Sequence, residues 1–383
     1  MGAIVEHDDT DAVRNLLAHP QKTVLVQVAP AVRASLGEAL GLAPSSLVTG
    51  KMVAALRRLG FDRVFDTQFA TDLTILEEGN ELIDRINTGG TLPMITSCSP
   101  SWINFIETFY PSLLAHLSTC KSPEQMFGAV AKTWYAQKAK LDPQDVAVVS
   151  ITPCTAKKDE ARRPQMTSAA QYWRRQGLLV GPDFPDVDFA LTVREFARMI
   201  RQNGLELSLL PEEAFDDPLG ESTGAAVFGT TGGVMEATLS TVYEVLNQRP
   251  LEKLELNALP EFDGIKTTSV DLAGQLFQVA VGHTLGNARV LLDQIAEGAS
   301  PYGFIEVMTC PGGCIGGGGQ PVLTHGAQKV ERQQVLCRAN LGMPVRKSHE
   351  NPSVLRLYED FLGSPLGERS HELLHTHYSS RSV

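Results

Sequence analysis

The sequence lacks the features of membrane-spanning, nucleic-acid-binding and secreted proteins. Its 383 residues contain no apolar stretch of the roughly 18 residues that a membrane-spanning helix needs, so we expect no membrane insertion. No long run of lysine and arginine occurs, and the net charge of −11 makes nucleic acid a poor partner. Residues 1–20 have neither the basic start nor the apolar core of a secretory signal, so we expect a cytoplasmic protein.

Cysteine is sparse and scattered. The six cysteines, at positions 98, 120, 154, 310, 314 and 337, do not form the dense framework of a small disulfide-stabilised domain. This spacing favours reduced thiols that bind metal. A C-x₂-C-x₂-C run, typical of ferredoxin-like clusters, is also missing. Any metal cluster must therefore be assembled from separate segments of the chain.

Short β-branched runs alternate with amphipathic helical stretches along the chain. The predicted strands are Lys22–Ala29, Arg63–Asp66, Pro93–Thr96, Val146–Ile151, Phe189–Thr192, Phe277–Val281 and Phe304–Met308. The predicted helices are Ser46–Leu59, Leu73–Asn87, Arg194–Gln202, Val234–Leu246 and Asn287–Glu297. This alternation predicts an α/β fold with two lobes of mostly parallel sheet flanked by helices.

Four segments follow from this pattern. We expect a lead-in at 1–20, a first lobe at 21–145, a second lobe at 146–320 and a C-terminal segment at 321–383 that wraps back across both lobes. Ser122-Pro123-Glu124-Gln125 predicts an N-cap and the start of a helix that runs to about Lys138. Gly89-Gly90 predicts the end of the helix before it.

Three cysteine-bearing segments follow predicted strands. They are Thr96-Ser-Cys98-Ser99-Pro-Ser-Trp102, Thr152-Pro-Cys154-Thr-Ala-Lys157-Lys158 and the glycine-rich Glu306-Val-Met-Thr-Cys310-Pro-Gly-Gly-Cys314-Ile-Gly-Gly-Gly-Gly-Gln-Pro321. In open α/β sheets, ligands lie beyond the carboxyl ends of the strands. Thiolates are the standard ligands of iron–sulfur clusters, and glycines remove side chains that would keep a bulky group away. The sequence therefore predicts one iron–sulfur site between the lobes.

The three segments, in this order, resemble the signature motifs of the iron-only, or [FeFe], hydrogenases: T-S-C-C-P-x-W, M-P-C-x-x-K-K and E-x-M-x-C-x-x-G-C-x-x-G-G-G-Q-P. The resemblance covers essentially the whole chain from about Lys22. Further matching segments are Val28–Arg33, Asp66–Thr74, Thr231–Ala237, Ser348–Pro352 and Leu374–Tyr378. The chain is similar to minimal members of the family, which have no accessory ferredoxin-like domains.

The resemblance implies a cofactor, the H-cluster. It consists of a [4Fe–4S] cubane joined through a cysteine sulfur to a two-iron unit with CO, cyanide and a bridging dithiolate amine, and it interconverts protons, electrons and H₂. Cys154, Cys310 and Cys314 fall on cubane-ligand positions, with Cys314 at the bridging position, and Cys98 falls on the position that passes protons to the amine. Implied partners are a ferredoxin or similar small electron carrier and dedicated maturation proteins.

Other matched positions surround the expected two-iron unit. Lys157 stands at the position of a cyanide-facing lysine, where its ammonium offers a charge-assisted hydrogen bond. Backbone amides near Pro30 and Ala31, and near Gly312, are further donors. Met308 stands at the position of a thioether that packs on the two irons. The alternative for Lys157 is an ordinary surface amine.

A proton route is also implied by the resemblance. Glu78, Glu81 and Arg85 lie at i, i+3 and i+7, on one face of a predicted helix. With Ser118 they match the family's relay, in the outward order Cys98, Glu78, Ser118, Glu81, with Arg85 as partner. The alternative is a solvated helix face on which a Glu81–Arg85 pair contributes roughly 0.3–0.5 kcal/mol.

Three residues depart from the family pattern. Ser99 replaces the fourth cubane-ligand cysteine, and a hydroxyl is a harder and far less acidic ligand than a thiol. The site then forms a serinate, accepts a weaker cluster, or borrows a ligand from Cys98 or the more distant Cys120. Thr152 replaces a methionine and Glu124 stands where glutamine is common, which changes packing and polarity beside the two-iron unit.

Two competing interpretations remain at this point. Ser99 favours a non-turnover relative of the same fold, such as a sensor or an iron–sulfur assembly factor, whereas the matched relay, Lys157 and Met308 favour hydrogen turnover. His371-Glu-Leu-Leu-His375 is an H-E-x-x-H pattern, as in zinc proteases. It begins twelve residues before the end of the sequence, which leaves His377 but no usual downstream third ligand, so we do not expect a protease.

Overall fold

A computed structural model of the chain describes residues 6–43, 46–96, 98–220, 223, 229–251, 257–258, 264–322, 327–343 and 345–381. The strands are β1 (Thr23–Val28), β2 (Arg63–Asp66), β3 (Met94–Thr96), β4 (Val146–Thr152), β5 (Phe189–Thr192), β6 (Asn257–Ala258), β7 (Ile265–Leu272), β8 (Gln275–His283) and β9 (Phe304–Met308).

The α-helices in the first half of the chain are α1 (Thr10–Leu17), α2 (Leu36–Ala39), α3 (Thr49–Leu59), α4 (Gln68–Thr88), α5 (Pro100–Phe109), α6 (Pro123–Val130), α7 (Ala136–Ala139), α8 (Lys157–Ala161) and α9 (Ser168–Arg175). Those in the second half are α10 (Val193–Gln202), α11 (Gly233–Asn247), α12 (Leu285–Ala296), α13 (Ala327–Leu341), α14 (Pro352–Leu357) and α15 (Glu368–Leu374). A π-helical stretch, Ala131–Tyr135, joins α6 to α7 into one continuous helix.

The strands form two sheets. The first sheet has the order β2-β1-β4-β5 and is entirely parallel. The second has the order β3-β9-β8-β7-β6, in which β3, β9 and β8 are parallel and the β8–β7–β6 edge is antiparallel. The predicted fold class, two mostly parallel sheets flanked by helices, is confirmed.

Each sheet carries an apolar core on both faces, as expected of parallel strands covered by helices. Along β1, Leu25 faces one core while Val24 and Val26 face the other, and both cores are fully buried. Two further cores lie on the faces of the second sheet. Helix α4 belongs to both halves, because Phe69 packs in a core of the first sheet and Leu82 in a core of the second.

The two sheets are interleaved in the sequence. Strands β4 and β5, which lie beyond residue 145, pair into the first sheet, while β3 crosses to pair with β9 in the second. The sheets therefore do not coincide with the expected lobes at 21–145 and 146–320. The hairpin of β7 and β8 was not predicted in full, and it turns at Ala273-Gly274, where both residues have positive φ.

The helix termini follow the predicted signals, with one change. Helix α4 ends at Gly89, whose φ of 72° suits a residue without a Cβ, and Pro123 occupies the first turn of α6 as expected. Ser122 is the N-cap residue of α6, as expected, but its side chain makes no capping hydrogen bond to the helix. Its hydroxyl contacts Lys157 and Glu160 instead.

The C-terminal part of the chain packs back over the first part. Helix α14 contacts α4, and α15 contacts α6 and α9. The backbone of Thr376 donates to Thr119, and that of Lys121 donates to Leu374. Within the described part of the chain, no helix has the length and apolar character that crossing a membrane requires.

Candidate metal centre

One cavity collects the residues that the sequence singled out. It has a volume of about 790 Å³ with its open mouth included. Eleven predicted site residues line it: Pro30, Ala31, Cys98, Ser99, Glu124, Thr152, Cys154, Lys157, Met308, Cys310 and Cys314. Ten of these residues follow β1, β3, β4 and β9 or lie at their ends, and Glu124 lies on α6, so the carboxyl ends of strands from both sheets open into the same space.

Four thiols face this cavity. Cys98 comes from the loop after β3, Cys154 from the loop after β4, and Cys310 and Cys314 from the loop after β9. The thiols of Cys98 and Cys314 are hydrogen-bonded, which lowers the pKa of Cys98 and raises that of Cys314. Burial raises the pKa of Cys154 to about 11, so metal binding there must release a proton.

Glycines bring the second and third cysteine loops into contact. A Cβ on Gly317 would lie 2.4 Å from the carbonyl oxygen of Pro153, and one on Gly319 would lie 3.0 Å from the backbone nitrogen of Cys154. The Gly319 amide donates to the Pro153 carbonyl at 2.7 Å. The glycine run therefore serves loop-to-loop packing, which places Cys154 beside Cys310 and Cys314.

Ser99 occupies the cavity wall at the expected fourth ligand position. Its Oγ lies 2.5 Å from Oγ1 of Thr309, a hydroxyl pair that the sequence did not predict. Thr309 also lines the cavity, next to Cys310. The donor set is therefore three thiols at the expected ligand positions, the Ser99 hydroxyl, and a fourth thiol, Cys98, in the same space.

Lys157 is buried at the cavity rather than exposed on the surface. Its Nζ donates to Glu160 Oε2 and to Ser122 Oγ, both at 2.6 Å. Burial alone would lower the pKa of Lys157, but Glu160 and Glu124 hold it above its usual value. The ammonium is therefore charged and fixed beside the cavity. Glu160 was missed, although its i+3 spacing from Lys157 on α8 is a usable signal.

Glu124 and Thr152 both line the cavity, as expected for residues beside a bound cofactor. Oε2 of Glu124 accepts a hydrogen bond from Ser150 at 2.7 Å, while Oε1 has no partner in the described part of the chain. Burial raises the pKa of Glu124 to about 7, against the opposing charge of Lys157. The hydroxyl of Thr152 accepts from the Cys154 amide at 3.3 Å and so helps to shape that loop.

The inner part of the expected proton route lies behind Cys98. Glu78 and Cys98 line one small cavity together with Thr96. Thr96 Oγ1 donates to Glu78 Oε1, whereas Oε2 lacks a partner among the described residues. Burial raises the pKa of Glu78 to about 8, and neighbouring Glu81 adds to the rise while Thr96 opposes it. Thr96, which fixes this carboxyl, was missed by the sequence analysis.

The outer part of the route forms a chain of direct contacts. Ser118 Oγ donates to Glu81 Oε2 at 2.8 Å, and Arg85 Nη2 donates to Glu81 Oε1 at 2.7 Å. Arg85 also donates to the Leu117 carbonyl at 2.6 Å. Glu81 is 7% exposed, which argues against a solvated helix face. No hydrogen bond joins Glu78 directly to Ser118 in the described residues.

The buried carboxyl group of Glu306, which the sequence analysis did not single out, holds a segment that lines the cavity. Glu306, on β9, accepts from the backbone amides of Gly232 and Met235 at 3.0 and 2.7 Å. These amides lie at the N-terminus of α11, where a carboxyl group is favoured. Burial raises the pKa of Glu306 to about 7 despite both hydrogen bonds. The contact anchors the segment that starts at Gly229, which lines the cavity.

The H-E-x-x-H pattern does not form a zinc-protease site. The rings of His371 and His375 stack with centroids 4.7 Å apart and planes 5° apart. Glu372 is paired with Arg175 instead of facing a shared ion. His375 turns inward to Glu77 and Thr119. The expectation that this pattern does not act as a protease site agrees with the geometry.

The cavity fits an iron–sulfur group in its donor chemistry. Thiols from three loops converge in one space, a buried ammonium provides positive charge for anionic ligands, and glycine backbones leave room beside them. Ser99 is the departure, since it offers oxygen where sulfur is the usual ligand.

Known proteins resemble this chain over nearly its whole length. The NADP-reducing hydrogenase subunit HndD of Solidesulfovibrio fructosivorans is 50% identical over 99% of the chain, which spans 64% of that relative. Cytosolic iron-sulfur assembly component 3 of Mus musculus is 30% identical over 96% of the chain and 76% of its own length. A solved variant of the [FeFe]-hydrogenase from Chlamydomonas reinhardtii is 38% identical, covers 98% of this chain and 100% of its own, and has a TM-score of 0.88.

Family models divide the chain into two matched parts. The iron-only hydrogenase large subunit, C-terminal domain, matches residues 22–318, and the iron hydrogenase small subunit matches residues 327–381. The first match contains all the cysteine loops of the cavity, and the second contains α14 and α15, which pack back over α4, α6 and α9. This chain therefore belongs to the iron-only hydrogenase family.

Proposed function

We propose that the protein catalyses the reversible reduction of protons to H₂ at an H-cluster. The observation that carries the proposal is the combination of four thiols and a buried ammonium around one cavity with a line of acids leading away from Cys98. A protein that only held a cubane would have no use for that line. The protein would then be an oxidoreductase that acts on H₂.

Each residue of the cavity has a role in this proposal. Cys154, Cys310, Cys314 and Ser99 would hold the [4Fe–4S] unit, with Cys314 as the sulfur shared with a two-iron unit that carries CO, cyanide and a dithiolate amine. When bound, this group would supply one-electron storage and the metal sites at which protons become H₂, with the electrons themselves coming from an external carrier. Lys157 and the backbone near Pro30 and Ala31 would bind the anionic ligands, and Met308, Thr152 and Glu124 would set the polarity around them.

The proton route in this proposal runs along α4. Cys98 holds a proton at Sγ beside the cavity, Glu78 holds one on its carboxyl group, and the Ser118 hydroxyl and Glu81 extend the route outward. Arg85 holds the Glu81 carboxylate in place through the contact at 2.7 Å. The position of these groups between the cavity and the surface supports transfer in either direction.

Electrons would come from a ferredoxin or similar small carrier. Cys310 is the least deeply buried of the three expected cysteine ligands, and Lys329 lies close to it, donating to the Pro311 carbonyl at 3.3 Å. Arg194 donates to the Gly318 carbonyl at 2.7 Å on the same outer side. These cations offer a docking place for an acidic carrier. Maturation proteins would supply the two-iron unit, and we place the protein in the cytoplasm.

Infrared spectroscopy of the protein after maturation tests the proposed function. We expect bands of metal-bound CO and cyanide, together with H₂ evolution from a reduced low-potential donor. Unmaturated protein that contains only the cubane is the control and should show neither. Absent bands after maturation that succeeds on a known hydrogenase in parallel would contradict the proposal.

Substitution of Ser99 tests whether this residue is an iron ligand. We expect Ser99→Cys to slow the loss of iron to a chelator by about tenfold, because a thiolate is the better ligand. Ser99→Ala should lose iron faster than the unchanged protein if the hydroxyl binds iron. Thr309→Val is the matched control, since it removes the contact at 2.5 Å and leaves the hydroxyl of Ser99. Equal rates for Ser99→Ala and the unchanged protein would exclude serine ligation.

An iron–sulfur assembly role is the second candidate. Ser99 favours it, as does the 30% identity to cytosolic iron-sulfur assembly component 3. In that case the cavity would hold a cubane alone, and the infrared experiment would give no diatomic bands even after maturation.

A further inference from the structure

A second group of metal-binding side chains lies outside the cavity. Glu81, Cys120 and His375 offer a carboxylate oxygen, a sulfur and an imidazole nitrogen that all lie within 4.8 Å of one another. Cys120 Sγ is 3.8 Å from Glu81 Oε2 and 4.0 Å from His375 Nδ1. All three residues are buried. The antiparallel bridge between Cys120 and His375 holds the C-terminal segment against the loop after Leu117.

The spacing suits one tetrahedral ion. Zinc binds sulfur at about 2.3 Å and nitrogen or oxygen at about 2.0–2.2 Å, which puts neighbouring ligand atoms roughly 3.5 Å apart. The two distances measured from Cys120 Sγ exceed that value by only a few tenths of an ångström. Small side-chain rotations would close the site around the ion.

The second nitrogen of His375 is already held as in a metal site. Nε2 lies 3.1 Å from Glu77 Oε2. Glu77 also accepts from the Tyr358 and Ser370 hydroxyls and from the Leu366 amide, so both of its carboxyl oxygens act as acceptors. Nε2 of His375 therefore donates to Glu77 and carries the hydrogen, and Nδ1 presents its lone pair toward Cys120 and Thr119. In zinc sites, the second ring nitrogen of a ligating histidine commonly donates to a carboxylate, as Nε2 of His375 does here.

The charge of the surroundings favours a cation. Glu77 and Glu81 bring two carboxylates close to the site, whereas among the described residues Arg85, paired with Glu81, is the cation that contacts the group directly. Thr119 Oγ1 lies 2.7 Å from Nδ1 of His375. A zinc ion bound to Nδ1 would therefore displace the hydrogen bond from the Thr119 hydroxyl. Burial and the nearby acids raise the pKa of the Cys120 thiol, so its proton must leave when the metal binds.

We propose that Glu81, Cys120 and His375 form an inhibitory binding site for one zinc ion. The inhibitory part rests on the proposed function, because Glu81 lies on the proposed proton route and cannot accept a proton while it ligates the metal. His375 thus takes part in a metal site with residues far away in sequence rather than with its H-E-x-x-H partner, which stacks on it at 4.7 Å.

Zinc binding is measured on protein whose cubane is already assembled, so that the cavity thiols are occupied. We expect one equivalent of zinc to remain after desalting. X-ray absorption at the zinc edge should show one sulfur at about 2.3 Å and otherwise nitrogen and oxygen ligands. Iron content is followed in parallel. Zinc with three or four sulfur ligands, or zinc that displaces iron, would place it at the cavity and overturn the proposal.

Variants separate this site from other candidates. Cys120→Ala, the similar-sized Cys120→Ser and His375→Gln should each weaken zinc binding at least tenfold. His349→Gln is the matched control, because Glu244, His349 and Glu350 form a more exposed group with similar spacing. Zinc binding that is lost in His349→Gln and kept in both Cys120 variants would overturn the assignment.

Inhibition is measured separately from binding. We expect zinc to slow H₂ evolution over the same concentration range in which it binds, and Cys120→Ala to remain active at those concentrations. Zinc binding without inhibition would overturn the regulatory part. If the protein evolves no H₂ at all, the proposed function fails, whereas the sulfur signal and its loss in the Cys120 variants still decide the metal site.

Discussion

Glu78→Gln is expected to lower the rate of H₂ evolution by about 100- to 10,000-fold while iron content and infrared bands stay unchanged. The amide keeps the shape of the side chain and its contact with Thr96, but it cannot take up and release a proton. Glu78 shares the small cavity with Cys98 and is therefore the carboxyl group next to Cys98 on the proposed route. The measurement is H₂ evolution per assembled cluster.

The control for this substitution lies on the same helix. Asp84→Asn, at an exposed position of α4, should leave the rate unchanged. The pH profile gives a second check. Since the pKa of Glu78 is raised to about 8 by burial, its carboxyl keeps its proton below that pH and loses it above, so the rate should fall as pH rises past about 8. A Glu78→Gln variant with the normal rate would exclude the route.

Cys314→Ala should remove both parts of the cofactor. Cys314 is the expected shared sulfur, and its loss leaves Cys154, Cys310 and a serine hydroxyl to hold the cubane. We expect iron content near that of the unassembled protein, no infrared bands and no H₂ evolution. Iron analysis and infrared spectroscopy on the same sample measure the effect.

Two other cysteine variants serve as comparisons for Cys314→Ala. Cys337→Ala, on α13 outside the cavity, should keep iron and activity. Cys98→Ala should keep its iron and lose turnover, because Cys98 is assigned to proton transfer. If Cys98→Ala loses iron as Cys314→Ala does, Cys98 is a cluster ligand, and its place in the proton route is wrong.

The sequence predicted the architecture and the cavity lining well, for a physical reason. Hydrophobic periodicity marks buried strands, and cysteines after strands must meet where parallel strands end, so Cys98, Cys154 and Cys310 could be grouped before any coordinates existed. The roles of the lining residues remain predictions.

What the sequence did not predict depends on pairing across long distances. The membership of β3 in the second sheet follows from its pairing with β9, which is about 200 residues away, and no local pattern records that choice. The Ser122 hydroxyl had a good local reason to cap α6, yet Lys157 and Glu160 compete for it in the folded protein. The Ala273-Gly274 turn gave only a weak local signal, because Ala-Gly is not one of the dipeptides that favour a two-residue hairpin turn.

Helix α4 has a consequence for how the chain tolerates changes in length. It runs without interruption for 21 residues and packs against the cores of both sheets, so both of its ends are fixed. Each residue of an α-helix turns the chain by about 100°. Inserting or deleting one residue between Glu78 and Glu81 would turn these two carboxyl groups by about 100° relative to each other, so one of them would leave its place on the proposed route. Among related proteins, α4 should therefore keep a constant length, and variation in length should fall in the surface loops.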